Sequence, residues 1–394
     1  MNSLSDLSMI HYGKSPSEVL TKDGSYPIVG TGGIYGHAKR AMFSSAIVVP
    51  RKGSLGNPQL IESPFWPVDT TYAVIPKDRV DIHWLYYCLL NFDLTKLNEA
   101  TGVPSISREW LLKIKFYNPG EKNQKKIAKI LKSIDQTIEK TEALIQKYQQ
   151  IKQGLMHDLF TRGVTPDGKL RPTREQAPDL YKETSIGWIP EDWNLTSLKD
   201  LIGNSSIVNG PFGSDLLTSE LFDEGIPVLY VQDVKPGYFL RISKAHVKPQ
   251  KALSLSFCNV KAEDILVAKV GSPPCDSCVY RFDEKAIVTQ DVIRIRPPHN
   301  VDSNFVSAFL NSYIGRKLIR KISIEGTRER VSLSEFKNIL IPEINYKEQF
   351  DIGRIIQTNQ NLIDNEMLFK NKLLNKKAGL MKDLLTGKVQ VKTD

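Results

Sequence analysis

The chain has 394 residues, 41% hydrophobic and 25% charged, an ordinary globular composition that excludes a disulfide-stapled miniature scaffold and a disordered chain. Fifty-three Lys and Arg against 44 Asp and Glu leave a net charge of +9, which suits a polyanionic partner without requiring one. No apolar stretch approaches the ~18 residues of a membrane span, the opening MNSLSDLSMIHYGK lacks a secretion pattern, and only four cysteines occur (Cys88, Cys258, Cys275, Cys278), so a cytoplasmic protein is expected.

Over residues 1–120, short β-branched or aromatic runs (45–49 and 71–75) alternate with Gly, Pro, Asn and Ser clusters, and residues 84–90 have helical spacing. This predicts a mixed α+β module with long loops. Over residues 121–161 the period changes: Ile127, Leu131, Ile134, Ile138, Thr141, Ile145, Tyr148, Lys152, Leu155 and Leu159 follow a 4, 3 heptad spacing, and eight of the ten are apolar. The result is a helix near 60 Å long at ~1.5 Å per residue, with a stripe too apolar to face water alone. Lys122, Lys125, Lys126, Lys129 and Lys132 crowd its first turns, where the macrodipole favours acids, so they form either a solvated face or an anion site.

Residues 162–190 are rich in Pro, Gly and charge without an apolar period and read as a linker, long enough when extended to carry the chain back along the helix. Residues 191–345 repeat the first pattern, with strand-like runs at 265–270 and 292–295 and a helical segment at 305–310. Residues 346–394 form a second long helix, whose positions Ile352, Ile356, Asn359, Ile363, Glu366, Lys370, Leu373, Lys377, Leu380 and Leu384 are apolar at six of ten. Two such stripes in one chain predict an intrachain coiled coil, with Ile127, Leu131, Ile134, Ile138, Ile145, Leu155 and Leu159 facing Ile352, Ile356, Ile363, Leu373, Leu380 and Leu384.

The two halves are copies. Gly154-Leu155-Met156-His157-Asp158-Leu159 returns 225 positions later as Gly379-Leu380-Met381-Lys382-Asp383-Leu384, and the same offset carries Gln124 onto Gln349 and Ile127 onto Ile352. Upstream, the run 47–54 resembles 265–272, the run 26–29 resembles 226–229, and Ser3-Leu4-Ser5-Asp6-Leu7 resembles Ser197-Leu198-Lys199-Asp200-Leu201. The shrinking offset means that the second copy carries about 31 more residues, placed in loops where insertions are tolerated.

Catalytic patterns are missing. There is no phosphate-cradling Gly-x-x-x-x-Gly-Lys-Ser/Thr, and Gly30-Thr31-Gly32-Gly33 lacks the strand-loop-helix context of a dinucleotide site. Arg296-Pro297-Pro298-His299 is not an amino-methyltransferase loop, Cys275-Asp276-Ser277-Cys278 is half a metal site without its other half, and the six histidines have no triad spacing. Asp264 and Lys269 bracket a strand without the Glu-x-Lys of a metal nuclease. What remains is basic loops at corresponding places in both copies, in which Arg and Lys can neutralise phosphate while Asn, Gln and Gly allow close approach to base edges. These loops include 36–40, 51–57, 105–108 and 327–330.

The duplicated pattern resembles the specificity subunit of bacterial Type I restriction-modification enzymes. The resemblance rests on the two variable regions, each followed by a long helix with Gln124, Ile127, Ile130, Leu131, Ile134 and Asp135 or Gln349, Ile352, Ile355 and Ile356. It also rests on the endings at 154–159 and 379–389 and on Gly187-Trp188-Ile189-Pro190-Glu191-Asp192-Trp193. The first copy departs in lacking the Ile-Pro-x-x-Trp lead-in, and Asp135 is matched by Gln360. The resemblance implies an α+β chain with two target-recognition domains and two long antiparallel helices in a pseudo-twofold duplication. The implied divisions are 1–120, 121–161, 162–190, 191–345 and 346–394.

It further implies that each domain reads one half of a split, asymmetric duplex DNA site, while the helices set the spacing and dock two modification (methyltransferase) subunits and the restriction subunits. S-adenosylmethionine, ATP and magnesium would be bound by those partners, with no cofactor, metal or catalytic residue in this chain. The implied DNA contacts are Tyr35, Lys39, Arg40, Arg51, Lys52, Ser54, Asn57, Thr70, Ser107 and Arg108 in the first copy, and Gln232, Lys269, Ser272, Gln290, Arg328 and Arg330 in the second. A coiled-coil scaffold without DNA binding and a self-contained nuclease are the alternatives.

Overall fold

The structure, a computed structural model, describes residues 1–391; the last three residues of the 346–394 segment lie outside the described residues. Two compact units divide the chain, Met1–Ala143 with the segment from Met367, and Leu144–Glu366. This division differs from the five consecutive segments read along the sequence, because each long helix contributes one portion to each unit.

In the first unit, β1 (Asn2–Ser3) pairs antiparallel with β10 (Lys115–Phe116), so the ends of the module meet. Helix α1 (Leu4–Leu7) starts on a capping box in which Ser3 accepts from the Asp6 amide and Asp6 accepts from that of Ser3. An antiparallel sheet runs in the order β2 (Ser8–Tyr12), β9 (Thr71–Pro76), β6 (Ala46–Pro50), β7 (Gln59–Ile61). Strand β6 is buried at every residue, as its unbroken apolar run requires of a central strand. A second sheet runs β3 (Leu20–Thr21), β5 (Gly33–Ala38), β4 (Tyr26–Gly30), β8 (Trp66–Pro67), with β4 and β8 parallel.

Helix α2 (Ile82–Asn91) packs Trp84, Leu85 and Cys88 against Ile47, Val49 and Val74 of the first sheet, and α3 (Arg108–Lys113) adds Leu111. Into this core α4 (Glu121–Thr161) sends Ile127, Ala128 and Leu131, beside Met381, Leu384 and Leu385 of α10 (Tyr346–Leu385). Asp135 pairs with Lys377 at 2.6 Å, and Glu142, seven residues on, pairs with Lys370, seven residues back, so the two helix portions are antiparallel. The Tyr87 hydroxyl of α2 donates to Asp135 at 2.7 Å, tying the module to its helices.

The second unit repeats these elements. Strand β13 (Asn194–Ser197) pairs with β24 (Leu340–Glu343), and α5 (Leu198–Ile202) follows the Ser197 cap. One sheet runs β14 (Ile207–Asn209), β23 (Val292–Ile295), β20 (Ile265–Ala268), β21 (Asp276–Val279), strand for strand the order seen in the first unit. The other runs β18 (His246–Val247), β15 (Ile226–Leu229), β22 (Ala286–Val288), β19 (Asn259–Val260), again with one parallel pair, β15 and β22. Helices α7 (Ser303–Asn311) and α9 (Leu333–Lys337) match α2 and α3. The added length builds a small hairpin, β16 (Val234–Lys235) with β17 (Tyr238–Phe239), and helices α6 (Pro249–Ser254) and α8 (Tyr313–Ile322). Here Met156, Leu159 and Phe160 of α4 share a core with Ile352 and Ile356 of α10, and the Lys152 ammonium donates to Gln360 at 2.5 Å.

Residues 162–190 are not the linker their composition suggests: they are an ordered portion of the second unit. Strands β11 (Tyr181–Thr184) and β12 (Gly187–Pro190) form a hairpin, and Arg171 enters the interior to meet Glu348 and the Trp193 ring. A segment held by a buried ion pair has no apolar period to reveal it.

The repeated glutamine has the same task in both units. Gln124 accepts from the Asp81 amide at 2.8 Å and Gln349 from the Asp302 amide at 3.0 Å, and each aspartate caps the helix that follows, α2 or α7. Gln349→Ala is therefore expected to leave a buried amide unsatisfied and lower stability by about 1–3 kcal/mol, read as a fall in the urea midpoint at unchanged slope.

Candidate nucleic-acid interface

In the first unit three loops meet: the one after β6 (51–57), the one before β9 (69–70) and the one before α3 (104–107). The Arg51 amide donates to Thr70 O at 2.9 Å, the Gly53 amide to Pro104 O at 2.9 Å, and the Ile106 amide to Arg51 O at 2.9 Å. The second unit makes the same three bonds, from Lys269 to Asp291 O at 2.8 Å, from Gly271 to Glu329 O at 3.0 Å and from Val331 to Lys269 O at 3.3 Å. Isolated bridges Lys52–Ser105 and Val270–Arg330 repeat as well. These are main-chain bonds, so they fix the loops while leaving their side chains free to differ.

Among the expected contacts of the first unit, Lys52, Ser54 and Asn57 are exposed on the first loop, and Arg51 is half-buried, donating to Asp69 O at 3.2 Å with its guanidinium 5.1 Å from the Tyr12 ring. Thr70 supplies the carbonyl that holds the Arg51 and Lys52 amides. Tyr35, on β5, is exposed; partial burial and then the charge of Asp69 hold its hydroxyl above the usual tyrosine range. Lys39 and Arg40 are exposed at the end of β5, with Arg40 5.8 Å from the Trp66 ring. Two residues carry structural bonds: Ser107 caps α3 by accepting from the Trp110 amide at 3.4 Å, and Arg108 donates to Ile10 O at 3.1 Å.

In the second unit Lys269, Gln290, Arg328 and Arg330 come together, lining an open cleft of about 680 Å³ with Phe212 and Thr327. The Lys269 ammonium lies 5.9 Å from the Phe212 ring. Ser272 donates to Glu329 at 3.3 Å beside the cleft, whereas Gln232 is exposed on the turn before β16 and does not line it. Among the described residues, Lys39, Arg40, Arg51, Lys52, Lys269, Arg328 and Arg330 form no ion pair with a carboxylate. Five of these cations, Arg51, Lys52, Lys269, Arg328 and Arg330, sit on or beside the pinned loops; Asp291 and Glu325 also line the cleft of the second unit, but none of the five is paired with a carboxylate among the described residues, which favours an external anion.

Sequence reasoning missed Tyr12 and Phe212. The available signal was a glycine at the end of the first strand: a Cβ on Gly13 would lie 2.0 Å from Val68 O, and one on Gly210 2.1 Å from Val288 O. Of the helix-pairing set, Ile127, Leu131, Ile138, Ile145, Leu159, Ile352, Ile356, Ile363 and Leu384 are buried, while Ile134, Leu155, Leu373 and Leu380 are partly covered. Two of the five crowded lysines meet local acids, Lys125 with Glu121 at 2.7 Å and Lys132 with Glu62 at 4.0 Å.

Gly30 to Gly33 is the turn of the β4–β5 hairpin, where Gly33 takes φ +108°. Cys275 and Cys278 belong to different cores, one with Ile265 and Val267, the other with Leu266, and burial pushes both thiols up to about 12. Among the described residues, no three His, Cys, Asp or Glu side chains converge as a metal site.

Fold and site together define a recognition protein built twice over, with basic loops pinned on a two-sheet module in each unit. Residues 1–152 match the Type I restriction modification DNA specificity domain family. Over 320 residues the chain is 27% identical to the Type I restriction enzyme MjaVIII specificity subunit of Methanocaldococcus jannaschii, covering 79% of this chain and 71% of that protein. The putative MjaX specificity subunit of the same organism is 27% identical over 328 residues, 80% of this chain and 70% of the relative. Among solved structures, the Type I restriction-modification S subunit from M. genitalium superposes with a TM-score of 0.64 at 16% identity, covering 98% of this chain and 95% of that one. A chain from a structural study of the assembly and conformational transition of the Type I system gives 0.53 at 14% identity, over 98% and 97%. The first 152 residues thus match a Type I restriction modification DNA specificity domain, and the chain over most of its length is similar to specificity subunits of Type I restriction-modification systems.

Proposed function

We propose that each unit reads one half of a split, asymmetric duplex DNA sequence, and that the helix pair sets the separation of the halves and docks two modification subunits and the restriction subunits. The observation that carries this is the duplicated loop junction: identical main-chain bonds hold cations without carboxylate partners, while the side chains at matching positions differ. Lys and Arg there supply phosphate affinity, and Asn57 and Gln290 are suited to base edges. Exposed Leu368, Phe369 and Leu374 on α10 support docking of a partner along that helix. Methyl transfer, ATP use and cleavage belong to the partners, which would bind S-adenosylmethionine, ATP and magnesium, and the site of action is cytoplasmic DNA.

The test is base-resolution mapping of methylated adenines in a host carrying this chain with its modification subunit. The expected result is a motif of two unlike halves that disappears when the chain is deleted. Methylation that persists without the chain, or DNA cleavage by the purified chain with magnesium alone, would overturn the proposal.

A further inference from the structure

Resting on that reading, we propose that Tyr12 and Phe212 are specificity-determining residues, each pressing its ring on the C5 methyl group of a thymine in the half-site read by its own unit. Both rings are exposed, Tyr12 at 48% and Phe212 at 58%, and neither belongs to a hydrophobic core. Both lie beside a glycine pressed against a neighbouring backbone, which fixes the direction in which the chain leaves the strand. Both carry a cation over the ring, Arg51 in one unit and Lys269 in the other, and these cations hold the same place in the duplicated loop bonds.

The pairing is not a simple inheritance from duplication. Tyr12 precedes Gly13, whereas Phe212 follows Gly210 by two residues, so matching the glycines places Asn209 opposite Tyr12 and Ser15 opposite Phe212. Two different positions thus deliver an aromatic ring to the corresponding cation. A phenylalanine ring has no donor or acceptor for a base edge, so what it can recognise in the major groove is the apolar methyl that distinguishes thymine from cytosine. The cation above it keeps one ring face covered and brings positive charge to the same base step.

The experiment uses the full chain assembled with its modification subunits. Selection from randomised duplexes first gives the wild-type motif, which should contain a thymine in each half. Each thymine is then replaced by deoxyuridine, which removes the methyl alone. One replacement in the half read by the second unit should weaken wild-type binding roughly four- to tenfold. Phe212→Ala should bind thymine and deoxyuridine duplexes equally at that position, with no change in salt slope, while Phe212→Leu keeps an apolar contact and checks folding. Tyr12→Ala should behave likewise in the other half. A motif with no deoxyuridine-sensitive position, or sensitivity that survives Phe212→Ala, overturns this assignment and leaves the DNA reading intact; no motif from the wild type overturns both.

Discussion

Replacing Arg51 and Lys52 together by alanine is expected to weaken duplex binding by about ten- to a hundredfold near 0.15 M salt and to lower the slope of log K against log salt by about 2. Each neutralised phosphate contributes roughly 0.9 to that slope, so two lost cations have a countable signature. The loop itself survives the change, because the bonds from the residue-51 amide to Thr70 O and from the Ile106 amide to the residue-51 carbonyl involve main-chain atoms. The side chains removed have no carboxylate partner among the described residues, and the stability lost with them is that of the Arg51 bond to Asp69 O and its contact with the Tyr12 ring, which leaves the fold in place. Binding measured as a function of salt decides it; an unchanged slope would remove these residues from the phosphate surface.

Glu348→Ala should be the most damaging single change in the second unit, at about 3–5 kcal/mol. Glu348 is 5% exposed and accepts from the Val164 amide at 2.9 Å, from both terminal nitrogens of Arg171, one of them at 3.2 Å, and from the Trp193 indole at 3.3 Å. Without it the guanidinium stays enclosed with only the exposed Asp192, 2.9 Å away, as counter-charge. Urea unfolding of the full chain should show the transition of the second unit moving to lower denaturant, with Glu348→Gln intermediate because its amide oxygen keeps an acceptor. Coincident curves for wild type and the alanine variant would show that Glu348 does not hold this segment.

Much of the fold was legible because duplication turns one weak pattern into two mutually supporting ones. The strand order could not be read, since it depends on pairings such as β6 with β9 that leave no local trace. The repeated Gln124 and Gln349 were visible as a repeat, but nothing in their spacing says that each accepts from the amide of a capping aspartate. The mismatch of Asp135 with Gln360 looked like a departure from pattern; in place, Asp135 pairs with Lys377, whereas Gln360 accepts from Lys152, whose ammonium burial holds below the ordinary lysine range. These partners lie more than 200 residues apart, beyond the reach of any periodicity. Composition misled at 162–190, because a buried Arg171 counts there as one more polar residue. Residue type alone singles out the basic loops in sequence, whereas nothing marks Tyr12 and Phe212, because an exposed ring looks in sequence like any core aromatic.

The pinned loops separate grammar from vocabulary. At the four matched positions Arg51 and Lys269, Thr70 and Asp291, Pro104 and Glu329, and Ile106 and Val331, every side chain differs, yet the three bonds persist because amides and carbonyls make them. A chain built this way can change the words it recognises by substitution at the loop surface without renegotiating its fold, provided that Gly53 keeps its φ of +86° and Gly271 its close approach to Pro273 O.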